Sequence, residues 1–231
     1  MATSGACTDS RGTENSEYLM FSTCSMKVNT VEETFGDAYP YGVWGEFKKG
    51  VRFNIFENVV ALASFNGDFT FFECTGFFID HVDKCPTILT SASLVRNPDS
   101  TDEIIEGLRI KALLSNKECI EGKLEHYSLH YNIILVSAKN YNVDSPASLK
   151  HDKIDYYTKV VDLGCRFESG VLMAASGKHT WWLGSLGCEG LRYTTCEITK
   201  AGIGGPLVDV NSNFVGMNYY NPKMGTPVPA L

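Results

Sequence analysis

The chain has 231 residues, 44% hydrophobic and 20% charged, with a net charge of −7 from 20 Lys and Arg against 27 Asp and Glu. That length suits one or two domains and is enough to bury a sizeable core. An acidic chain without a basic run is a poor partner for nucleic-acid backbones, and no apolar run is long enough to span a bilayer as a helix.

The 21 glycines and 13 phenylalanines favour strands with many turns. The eight cysteines (Cys7, Cys24, Cys74, Cys85, Cys119, Cys165, Cys188 and Cys196) are scattered, with no Cys-x-x-Cys pair. No zinc or other metal site and no cofactor is therefore expected. The N-terminus shows no apolar signal segment, so the thiols are read as free, in a reducing compartment such as the cytoplasm or nucleus, with an organelle left open.

In chain order, residues 1 to about 35 are rich in Ser, Thr, Glu and Asn and read as a loosely attached polar tail. Phe35, Tyr39, Tyr41, Trp44 and Phe47 then form an aromatic segment. It is read as packing over the body of the protein, with an oligomer contact as the alternative. From about residue 52 the pattern becomes all-β. Asn58–Phe65 is an apolar run of strand length, Asn66-Gly67-Asp68 signals a hairpin, and Thr70–Ile79 is the return strand. Strand signals recur at Thr87–Thr90, Gly107–Leu114, Ile120–His126, Asn132–Ala138, Val160–Leu163 and Gly170–Ala174. Lys139–Tyr157 is polar and aperiodic, with Pro146 inside it. Short strands with turn punctuation argue for a sandwich or barrel over βαβ units.

The most informative stretch is Ala201-Gly202-Ile203-Gly204-Gly205-Pro206-Leu207-Val208-Asp209. Adjacent glycines followed by proline make a stiff elbow that another chain segment can approach closely. Strands follow at Leu207–Val210 and Phe214–Met217 around the turn Asn211-Ser212-Asn213, with one more at Gly225–Val228. This arrangement resembles the nucleophile loop of the trypsin-fold serine proteases, most nearly the Deg/HtrA branch, whose elbow reads Gly-x-Ser-Gly-Gly-Pro-Leu. Ile203 stands in the serine's place. Ile88-Leu89-Thr90-Ser91-Ala92-Ser93-Leu94-Val95 resembles that family's Ile-Leu-Thr-Ala-Ala-His-Val-Val, with Ser93 in place of the histidine base. Tyr131-Asn132-Ile133-Ile134-Leu135-Val136 resembles the strand that carries the orienting aspartate, with Asn132 in its place.

The resemblance covers roughly residues 55–231, in patches. It implies an all-β fold of two six-stranded antiparallel β-barrels: the first over 51–145, the second over 146–231, preceded by a partly disordered or oligomerising segment over 1–50. Isoleucine has no attacking atom, serine no usable basicity, and asparagine no charge to steady an imidazolium. The expectation at this point is a non-enzyme: a protease homologue without a catalytic triad. Its cleft remnant, Gly202, Ile203, Gly204, Tyr219 and Tyr220, would bind a protein or peptide, and the side chain of Ile203 would fill the place of the scissile carbonyl. Such a subunit could act as a scaffold, a decoy, or a regulator in homo- or hetero-trimers built through the aromatic segment. Two alternatives stay open. One is a peptidase with a rearranged nucleophile, Cys196, Ser93 or Thr199, served by His130. The other is a purely structural oligomerisation domain. Trp181-Trp182 beside His179 reads as core or rim packing, with a stacking platform as the alternative.

Overall fold

The computed structural model describes residues 33–82, 85–100, 102–138, 141, 143, 146–149, 155–180, 193–221 and 226–230. Most of the expected tail, the Trp181-Trp182 pair and His151 lie outside the described residues.

Six strands close into a barrel in the order β2-β3-β4-β7-β6-β5. They are β2 (Val59–Asn66), β3 (Phe69–Val82), β4 (Cys85–Ser91), β5 (Arg109–Leu113), β6 (Cys119–Ser128) and β7 (Ile133–Ala138). All neighbours pair antiparallel. The hairpin expected at Asn66-Gly67-Asp68 is present, with Asn66 opposite Phe69.

The apolar runs are continuous because both faces of these strands are covered. Val60, Leu62, Phe78, Ile88 and Ile134 pack inside the barrel. Their chain neighbours Val59, Ala61, Phe77 and Leu89 pack between the barrel and a second sheet. Alternate residues of one strand thus enter two different cores, as the two-residue period of a strand requires. By contrast β6 has one solvated face, and its burial alternates along most of its length.

The second sheet has the order β1-β9-β8-β10-β11-β12. Its strands are β1 (Asp37–Ala38), β8 (Lys159–Cys165), β9 (Leu172–Lys178), β10 (Pro206–Asp209), β11 (Phe214–Asn221) and β12 (Thr226–Ala230). Among the described residues it is open, with β1 and β12 at its edges. Of the two closed barrels expected from the sequence one is present, and the described residues of the other form a six-stranded sheet. Alternation works here too: Val161 and Leu163 face the barrel, whereas Val160 packs with Cys196, Leu207, Val215 and Phe35.

The fold departs from the expected pattern in a second place. Residues 49–58, taken from about 52 onward as the start of β structure, form helix α1 (Lys49–Asn58), which leads straight into β2. Val51 and Ile55, one turn apart, turn toward the core between the sheets, and Phe53 is exposed. With Phe56, which stacks on Tyr39, three apolar positions face that core, while the exposed Phe53 interrupts the helical pattern in the sequence. In the aromatic segment Phe35, Trp44 and Phe47 are buried while Tyr41 is 75% exposed. The indole N–H of Trp44 donates to the Asp37 carbonyl at 2.9 Å, and Tyr39 packs edge-on against the ring.

Trp44 is fully buried in the core that joins the segment to both sheets. Trp44→Ala is expected to cost about 3–5 kcal/mol of stability, a cavity term plus an orphaned carbonyl. Chemical denaturation of the two proteins side by side measures it.

Candidate functional site

The elbow begins as a short 3-10 turn, Lys200–Gly202, and runs through Ile203, Gly204 and Gly205 into β10. Two glycines are required by their surroundings. Gly204 has φ +75°, and a Cβ there would lie 2.5 Å from the Thr75 carbonyl oxygen, 2.6 Å from Thr90 Oγ1 and 2.8 Å from Ser91 N. A Cβ on Gly205 would lie 2.0 Å from the Leu163 carbonyl oxygen. The elbow is thus wedged between β3 and β4 of the barrel and β8 of the second sheet.

Thr75 on β3 clamps it. Its N–H donates to the Ile203 carbonyl at 2.8 Å, and its hydroxyl donates to the Ala201 carbonyl at 2.5 Å. The same hydroxyl oxygen accepts from Cys165 N on β8 at 2.8 Å, and the Thr75 carbonyl accepts from Thr90 Oγ1 at 2.6 Å. On the opposite side Asn218 of β11 makes three bonds. Its Nδ2 donates to the Gly202 carbonyl at 3.0 Å, its N–H to the Gly205 carbonyl at 2.8 Å, and its carbonyl accepts from Gly204 N at 2.9 Å.

The structure brings Ser93 and Asn132 together. Ser93 lies in a 3-10 turn, Ala92–Leu94, that follows β4 and is capped by Ser91, whose Oγ accepts from Ser93 N at 3.1 Å. Asn132 Nδ2 donates to Ser91 Oγ at 2.8 Å and reaches Ser93 Oγ at 3.5 Å; the two serine oxygens are 3.0 Å apart. Arg96 fixes the amide, donating to Asn132 Oδ1 at 3.2 Å and to the Leu129 carbonyl at 2.5 Å. Ser91 and Arg96 were missed by sequence reasoning, because a cap and a distant arginine carry no motif. Asn132 also has φ +53°, a conformation asparagine tolerates better than most residues. The group consists of neutral hydrogen-bonding side chains held by one guanidinium, able to orient a polar ligand atom.

Ile203 is 1% exposed and packs with Ala92, Leu94 and Ile134 in the barrel core. Its N–H donates to the Lys200 carbonyl at 3.1 Å, and Gly202 N donates to Thr199 at 3.0 Å. The backbone amide at the elbow's centre is therefore satisfied within the turn. Lys200 is anchored in turn, with its ammonium 4.4 Å from the centroid of the Phe72 ring. Gly202 and Gly204 are buried and Tyr219 is half-buried.

The residues proposed for a rearranged site are apart in their described contacts. His130 is exposed, with its ring edge-on to Tyr131. Cys196 is buried beside Val160, Asp162 and Thr194, its Sγ 3.8 Å from the Val160 carbonyl. Burial holds this thiol well above the usual range, and the neighbouring Asp162 adds to the effect. Thr199 spends its hydroxyl on the Glu33 carbonyl at 2.6 Å.

Beneath the elbow lies a titratable group with no sequence signature. Asp162, in the middle of β8, is 1% exposed. Burial pushes its pKa up from 3.8 to about 7, against hydrogen bonds from Cys196, Asn218 and Thr194 that pull it down. Thr194 Oγ1 is 3.5 Å from Asp162 Oδ2.

No family model matches the chain, and no curated protein does. Among solved structures it is similar to the Rv3671c protease in its inactive form. The two share 16% identity with a TM-score of 0.58, and the match covers 78% of this chain and 86% of that one. At that identity the likeness speaks for the fold, and the fold is trypsin-like. The comparison also corrects one expectation. The side chains at Ser93, Asn132 and Ile203 led to a non-enzyme, but a solved structure that shares this fold is a protease. Substitution at three positions describes what stands there, and a statement of inactivity does not follow from it. Among the described residues, no helix is long and apolar enough to cross a membrane.

Two outcomes test this geometry. Thr75→Val keeps the shape but strands Cys165 N–H and the Ala201 carbonyl, and should cost about 2–5 kcal/mol in urea denaturation. Asp162 gives stability a pH slope of known sign. Its folded pKa lies above its unfolded value, so between about pH 4 and pH 7 the folded chain holds a proton that the unfolded chain has lost. Its contribution is therefore full below about pH 4, declines as pH rises, and is gone above about pH 7, by at most about 4 kcal/mol. Midpoints of unfolding measured across that window should show the decline in the wild type and not in Asp162→Asn.

Proposed function

We propose that the edge of β11 at Tyr219 and Tyr220, carried on the buried elbow Gly202, Ile203 and Gly204, binds an extended segment of a protein or peptide by strand addition. One observation carries the reading. β11 pairs with β12 along Met217–Asn221, but β10 pairs with it only over Phe214–Met217. The peptide groups of an antiparallel strand point alternately to its two sides. Those of Asn218 point to the elbow, where Gly205 and Gly204 take them. Those of Tyr219 then point to β12, and those of Tyr220 again to the elbow side. Beyond Asn218 that side has no strand neighbour among the described residues. The register with β12 agrees: Asn218 and Tyr220 face Pro229 and Pro227, residues that have no N–H to offer β11.

An open main-chain donor and acceptor next to a rigid elbow suit a peptide backbone, and the half-buried Tyr219 and the Ser93–Asn132 group can read its side chains. The reading treats the protein as a binding module, in keeping with a scaffold or regulatory subunit. The finer architecture belongs to the same proposal: a second sheet completed into a barrel, a boundary near residues 145–146, and a trimer contact through the aromatic segment.

The test is fluorescence polarisation with a library of extended peptides against the full chain. Tyr220→Pro removes the open-edge N–H while leaving the β12 ladder intact. It should weaken a bound peptide about tenfold and leave thermal stability close to that of the wild type. If no peptide binds at about millimolar concentration, or if Tyr220→Pro folds and binds equally well, strand addition at this edge is wrong.

A further inference from the structure

A cavity of about 250 Å³ opens where helix α1, both sheets and residues 146–148 meet. Its described lining includes neither the Ser93–Asn132 group nor the β11 edge at Tyr219 and Tyr220, so a ligand there needs no bound peptide. Protein interiors are close-packed, with few voids larger than a water molecule. A hollow of this size between two sheets is an exception, and each wall atom that faces it lacks a packing partner.

The walls sort by depth. Ile55, Val59, Phe77, Leu163, Pro206 and Val208 are buried and apolar. The buried polar residue among them is Asn58, the last of α1. Asn54, Ser148 and Asn211 are exposed and Ser212 is half-buried, and these form the mouth. Phe77 and Phe214 stand side by side in the lining, with ring centroids 5.4 Å apart. The mouth is held in place. Asp209 Oδ1 accepts from Asn211 N and from Asn213 N at 2.8 Å each, which fixes the turn between β10 and β11. Ala147 N donates to the Phe78 carbonyl at 2.9 Å, which ties residues 146–148 to β3. A site formed in advance loses little order when it is filled.

None of the described lining residues carries a charge. An ion taken in here would lose its hydration and find no counter-charge, whereas a neutral amide or hydroxyl can exchange water for asparagine and serine. An apolar cavity of about 150 Å³ holds one benzene, so about 250 Å³ holds about ten non-hydrogen atoms. That is too little for a strand and suits a ring with one polar group. The geometry points to a binding site, between the barrel and the second sheet, for a small neutral amphipathic molecule: an aromatic ring carrying an amide or hydroxyl. The ring packs on the apolar walls and the Phe77–Phe214 pair. The polar group meets Asn58, whose amide offers both donors and an acceptor.

Benzamide is the probe, and benzoate and benzylammonium are charged counterparts of similar size. Methyl signals of Ile55, Val59, Leu163 and Val208 are followed by NMR in the full chain near neutral pH. Benzamide should move them with a Kd of about 1 mM or tighter, the range open to a ligand of about nine atoms. Each charged counterpart should bind at least about tenfold more weakly. Val51→Trp, at a half-buried lining position of α1, fills the cavity with an indole and should abolish the shifts. Asn58→Leu should remove the preference for benzamide over toluene, which a purely structural role would leave unchanged. The site is overturned if benzamide at about 20 mM moves none of these methyls, or if either charged counterpart binds as tightly. It is overturned as well if folded Val51→Trp binds benzamide unchanged, or if folded Asn58→Leu keeps the preference. Should both variants fail to fold, the ranking of the three probes on the wild type still decides.

Discussion

A single hydroxyl, that of Thr75, joins the barrel, the second sheet and the elbow. It gives its one proton to Ala201 and takes one from the Cys165 amide, so both sheets and the loop between them are tied at one atom. Such a bond is worth little in water, but in a dry interior the alternative is two unmet peptide groups. The Thr75 main chain adds two further ties, one to Ile203 and one from Thr90. Everything distinctive about the site follows from this anchoring. Gly204 and Gly205 must lack side chains because the clamp draws them against backbone, and Ile203 is carried into the barrel core because its neighbours are pinned on both sides.

The elbow is held from above by a neutral, permanently hydrogen-bonded threonine. From below it is held by an asparagine that neighbours a titratable carboxyl.

Much of this was legible in the sequence where the chemistry is local. Adjacent glycines before a proline announce a close approach, and Asn66-Gly67-Asp68 announces a hairpin; both are where they were read. The patches around Ser93, Asn132 and Ile203 were matched separately along the chain, and in space they meet. The rest depends on contacts that leave no local trace. Thr75 looks like any threonine in a strand. Asp162 sits in Val-Val-Asp-Leu-Gly, where alternation alone would turn it to solvent on a half-exposed sheet; it is buried because Phe35 and Cys196 cover that face. Helix α1 was misread because the exposed Phe53 blurs the period of Val51, Ile55 and Phe56. The place of β1 in the second sheet went unread because it is a two-residue strand drawn from the aromatic segment.

The register of β12 has one more implication. Pro227 and Pro229 stand opposite the two β11 residues whose peptide groups point away from β12, so their own backbone positions face the rim that β12 forms among the described residues. There a proline nitrogen cannot donate, and the rim lacks amide hydrogens at two alternate sites. A stray strand from a neighbouring molecule finds no continuous template on that border, which guards the protein against sheet-to-sheet aggregation.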